Sequence, residues 1–148
     1  MIAATPDAGV IHASDPVPLS PPVLPTERCY GLGELIFAYR IYMGLGQRDM
    51  ARRLDFNLRD YQRIEKGRNR CPVGFLSKVM ELVDTFDSVA DQIVELARTT
   101  EGGINIQIQT DDRWAWERNV AGRAAIIAAC ANDTPRITLT VMGQEEQR

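Results

Sequence analysis

Leu45-Gly46-Gln47-Arg48-Asp49-Met50-Ala51-Arg52-Arg53-Leu54, then Asp55-Phe56-Asn57, then Leu58-Arg59-Asp60-Tyr61-Gln62-Arg63-Ile64-Glu65-Lys66-Gly67, reads as two short helices joined by a tight turn. The first helix turns Met50, Ala51 and Leu54 inward and leaves Arg48, Arg52 and Arg53 outside. Asn57 is placed to cap the second by accepting from a free backbone N–H near Asp60, and Asp60 puts negative charge in the first turn, where the helix dipole favours it. Gly67 ends that helix, and Cys71-Pro72 prevents its resumption. A small residue at Ala51 lets the two helices cross closely, Leu54 and Ile64 seal the angle, and Phe56 plugs the turn. The second helix then projects its first turn outward, the geometry needed to enter a major groove about 12 Å wide.

Working outward, Leu35, Ile36, Tyr39 and Met43 recur at three- and four-residue steps, which predicts a helix over 33–43 stopped by Gly44 and Gly46. Downstream, Phe75, Val79, Leu82, Val83 and Phe86 predict a helix over 73–86. Ser88 with Asp91 has the form of a capping box opening a fifth helix that ends near Thr100. Glu101-Gly102-Gly103 is the clearest boundary. Beyond it Ile104, Ile106 and Ile108 alternate with polar residues, as do Ile137, Leu139 and Val141, and each set predicts a strand with one wet face. Between them, 111–131 reads as a helix with Trp116, Val120, Ala124, Ile127 and Ala131 along one stripe.

Three segments follow. Residues 1–28 form a leader holding six of the eight prolines, read as flexible or polyproline-like; 29–100 form the helical domain; 101–148 form a strand-helix-strand unit. The fold class expected is mainly α with a small α+β C-terminal unit. Two strands under one helix are marginal in water, so the unit is expected to pair with a second copy. Ile104, Ile106, Ile108, Trp116, Val120, Ile127, Ile137, Leu139 and Val141 are the residues assigned to that dimer interface.

The chain has 148 residues, 45% of them hydrophobic, and a formal net charge of −3, which taken alone argues against a nucleic-acid partner. The distribution reverses this. Residues 47–70 hold eight basic side chains, at 48, 52, 53, 59, 63, 66, 68 and 70, against acidic ones at 49, 55, 60 and 65. That concentrates positive charge on an otherwise acidic chain, the footprint of a DNA-binding face. Cys29, Cys71 and Cys130 lack CxxC spacing and read as reduced thiols of a cytoplasmic protein. There is no signal peptide pattern in 1–20 and no apolar run long enough for a membrane helix. The single histidine, His12, leaves little material for zinc or histidine chemistry. With no carboxylate dyad, phosphate loop or nucleophile elbow, the sequence reads as no enzyme, with no metal and no cofactor.

The segment 40–72 resembles, without gaps, the Cro and cI-type helix-turn-helix family, also called the XRE family, and the likeness continues loosely to Phe86. The resemblance implies a five-helix repressor-like domain that binds operators as a dimer. It implies that Arg40 pairs with Glu65, that Gln47 contacts a phosphate, and that Leu58, Arg59 and Arg63 face base edges. Asp55 stands at the family's turn glycine, a position where Asp tolerates the left-handed conformation. Gly46 stands at its usual Ser, Thr or Asn cap, and Leu58 replaces a polar base reader, so its contact would be apolar. The candidate DNA-binding set is Gln47, Arg48, Arg52, Asn57, Leu58, Arg59, Gln62, Arg63, Arg68 and Arg70. The function expected is a homodimeric, phage-like transcriptional repressor binding double-stranded DNA. The alternative, on the same fold, is a protein-interaction module such as an antitoxin or a phage factor that sequesters a host protein.

Overall fold

The computed structural model describes residues 32–132 and 135–143. The proline-rich leader, His12 and Cys29 lie outside the described residues. Among those described, the chain is mainly helical with a small sheet: α1 (Gly33–Tyr42), α2 (Gln47–Arg53), α3 (Leu58–Glu65), α4 (Phe75–Thr99), β1 (Ile104–Ile108), a 3-10 turn (Asp112–Trp114), α5 (Ala115–Cys130) and β2 (Ile137–Val141). None of these helices is long and apolar enough to cross a membrane. Cys71 is buried and Cys130 exposed.

The first three helices begin and end where local chemistry tells them to. The Asn57 side chain accepts from the backbone N–H of Arg59 at 2.9 Å and of Asp60 at 3.3 Å, satisfying two donors that no helical carbonyl can reach. Asp55 takes φ 52°, the left-handed conformation the turn requires. The Phe56 N–H then closes back on the Ala51 carbonyl at 2.9 Å. Gly33 opens α1 against the end of α3, where a Cβ would come within 2.5 Å of the Glu65 carbonyl oxygen and 2.8 Å of that of Ile64.

The expected pair of helices over 73–100 is one continuous helix of 25 residues. Ser88 is not a cap; it lies in mid-helix, its Oγ accepting from the Gln92 side chain. The reason is the run of buried residues at Val79, Phe86, Ala90, Val94 and Ala97, an unbroken helical stripe that α5 covers. No glycine or proline interrupts it. The local cap signal of Ser88 and Asp91 is worth about 1 kcal/mol, far less than burial of that stripe. The helical half therefore contains four helices, not five.

β1 and β2 pair with each other in parallel, Ile104 opposite Ile137 through Ile108 opposite Val141. Parallel pairing needs a crossover, which α5 supplies. α5 contacts both strands and also α4. Its buried residues are small, Val120, Ala121, Ala124 and Ala128, and Val120, Ala124 and Ala128 share one cluster with Ala90 and Ala97 of α4, so the two backbones approach closely. The buried residues form one cluster running from Leu32 to Ile137, with members on both sides of the Gly102-Gly103 turn.

Candidate nucleic-acid interface

α3 shows two sides. Tyr61, Ile64 and Glu65 are buried, while Arg59, Arg63 and, just past the helix, Lys66 are exposed at four- and three-residue steps along one face. The buried side rests on Phe75, with the Tyr61 and Phe75 rings 6.3 Å apart and those of Phe56 and Phe75 5.0 Å apart. Arg48 projects from α2, and Arg68 and Arg70 from the loop after α3, all three exposed. Arg48, Arg59, Arg63 and Arg68 have no acidic partner among the described residues. Lys66 is absent from the sequence-derived candidates. Its spacing from Arg59 and Arg63 is the signal that would have found it.

A polar relay under this face holds α1, α2 and α3 in register. The Arg40 guanidinium donates twice to Glu65, Nε to Oε2 at 2.9 Å and Nη2 to Oε1 at 2.7 Å, and its Nη1 donates to the Leu45 carbonyl at 2.9 Å. The side chains of the pair are only 11% and 5% exposed. Gln47, the first residue of α2, donates to Glu65 Oε1 at 3.2 Å and accepts from Gln62 Nε2 at 3.0 Å. Gln47 and Gln62 are thus half-buried members of this relay, and each has an amide already engaged within the chain. Burial works against the Glu65 carboxylate, but the hydrogen bonds from Arg40 and Gln47, with the Arg40 charge beside it, outweigh it and hold the carboxyl below its ordinary value. Burial likewise raises the Tyr61 phenol well above its ordinary value, so it stays neutral.

The other candidates divide. Asn57 is exposed but its side-chain oxygen is engaged in the cap. Leu58 is half-buried and packs against the core. Arg52 pairs with Asp49, and a cleft beside it is lined by Arg48, Asp49, Asp112 and Arg113, so positive charge there is partly met by carboxylates. Arg53 also reaches Asp49, and its guanidinium lies 4.4 Å from the centre of the Trp116 ring. That stacking ties α2 to α5.

Of the residues assigned to a dimer interface, Val120 and Ile137 are buried within this chain, and Trp116 packs edge-on against Phe86 at 5.3 Å. Ile104, Ile106, Ile108, Ile127, Leu139 and Val141 are half-buried. The structure therefore uses Val120, Ile137 and Trp116 inside one subunit, because the crossover lays α5 along α4. The large apolar side chains left exposed include Phe37, Ile41, Tyr42, Ile126 and Met142. No family model matches the chain, and neither does any curated protein or any solved structure.

Proposed function

We propose that the protein is a sequence-specific, double-stranded-DNA-binding transcriptional regulator of repressor type, acting in the cytoplasm as a homodimer and without catalysis. The observation that carries this reading is the single exposed face of α3 bearing Arg59, Arg63 and Lys66, flanked by Arg48 and Arg68 and set at a fixed angle by the Arg40–Glu65 pair. In this reading α3 enters the major groove. Arg59 and Arg63 meet guanine O6 and N7, and Arg48, Lys66, Arg68 and Arg70 meet phosphates. One helix of eight residues touches few bases, so two copies on half-sites about one helical turn apart supply the specificity.

A salt titration of duplex binding tests this. If a dimer neutralises about six to ten phosphates, affinity falls by about 10³ to 10⁵ between 50 and 200 mM salt. The alternative of a module that sequesters another protein draws on the exposed side chains of Phe37 and Ile41 on α1. Absent or salt-insensitive duplex binding would decide for it.

A further inference from the structure

An open groove of about 540 Å³ lies where the end of α1 and Phe86 of α4 meet α5 and the strands. That volume falls within the usual range for small-molecule sites. Phe86, Ile108, Ile126 and Leu139 give it apolar walls, and Arg118 and Arg123 of α5 bring two positive charges to it with no carboxylate in the lining. Arg118 has no acidic partner among the described residues. Arg123 is held over the Tyr42 ring, 5.4 Å from its centre, and its Nε is buried with no acceptor among the described residues. Arg123 lines the groove, and a guanidinium has the fork geometry that suits a carboxylate. Gly122 lines the groove between the two arginines, and a Cβ placed there would touch nothing within 4 Å.

We propose that this groove binds a small amphiphilic anion, with its carboxylate on Arg123 and Arg118 and its apolar body against Ile108, Ile126 and Leu139. The charge imbalance selects an anion, and the walls select an apolar body over a sugar or a nucleotide base. Asn119, one residue from Arg118, donates to the Gly44 carbonyl at 2.9 Å in the loop that leads into α2. An occupant of the groove therefore lies against the support of the helix-turn-helix. The proposal stands on the groove itself and survives whether or not the chain binds DNA.

Decanoate is the probe, titrated calorimetrically into the full chain. Saturable binding at one site per chain is expected, with the neutral analogue decanol binding about tenfold or more weakly because the charged hydrogen bonds are gone. Gly122→Leu fills open space and should abolish binding while leaving the unliganded melting temperature unchanged or higher. Arg123→Met should weaken binding by about tenfold or more. Arg118→Gln, a change at an exposed position that cannot unfold the chain, should weaken it severalfold. Absent binding, equal binding of decanol, or binding indifferent to all three substitutions overturns the proposal. So do two specific findings. One is that decanoate binds only after Glu145→Gln and Glu146→Gln, which would make the chain's own residues 144–148 the occupant. The other is that decanoate fails to bind while Gly122→Leu turns a dimer into a monomer in sedimentation, which would make the groove a subunit contact.

Discussion

Arg40 and Glu65 are 25 positions apart, and their contact fixes how α3 is set against α1. Removing one member of so buried a pair leaves the other charge unanswered, which costs about 3 to 5 kcal/mol. Arg40→Leu should show that loss in urea denaturation with an unchanged slope. Because the Glu65 carboxyl is held below its ordinary value in the fold, it stabilises the protein above about pH 4.5, and this is lost as the pH falls through the lowered folded value. Glu65→Gln should flatten the acid limb of the stability curve. Gly33→Ala tests a steric point. Alanine ordinarily gains about 0.5 to 1 kcal/mol over glycine in a helix. Here its Cβ would meet two backbone carbonyls of α3, so a net loss of about 1 to 3 kcal/mol is expected in thermal melts. At the proposed DNA face, Arg59→Ala should relax one base preference by about 1 to 3 kcal/mol, and Arg68→Ala should weaken all sequences alike. Equal effects in selection of bound duplexes from a random library would separate neither role and would refute both.

At the scale of elements, α2, the turn and α3 were legible because their signals are local: an Asn cap, a small crossing residue, a left-handed Asp and a terminating Gly lie within about twenty positions. The strands were legible from alternation alone. α4 was not, because Ser88 and Asp91 imitate a helix start, and the covering surface on α5 begins more than twenty residues later. Ser88→Ala distinguishes the two structures by sign. At a true cap it would cost about 1 kcal/mol. In mid-helix it should be neutral or gain a few tenths of a kcal/mol. The packing of α5 on α4 was not legible for a related reason. A helix in contact with α4 and with two strands presents more than one apolar side, whereas the sequence shows only one stripe, through Trp116, Val120, Ala124, Ile127 and Ala131, and does not say which element meets it. Trp116, lying under Arg53 and beside Phe86, is the clearest instance, since nothing in either neighbourhood of sequence announces the other.

At the scale of the whole molecule, the helix-turn-helix and the sheet share one core through α5. Ending the chain after Gly103 would bare Phe86, Ala90, Val94 and Ala97 to water. Such a truncation should give no cooperative melting transition and should bind a dye that reports exposed apolar surface, whereas a folded, sharply melting fragment would show that α4 needs no cover. The order of these elements along the chain has a temporal consequence. A ribosome releases α4 before α5, and with Thr99 and Cys130 31 positions apart, synthesis at about 5 to 20 residues per second leaves a gap of roughly two to six seconds. For that interval the nascent helix carries its stripe uncovered, and β1 waits without a neighbour until β2 emerges. The stage at which this protein is most exposed to aggregation is therefore set by its translation, before its own fold is complete.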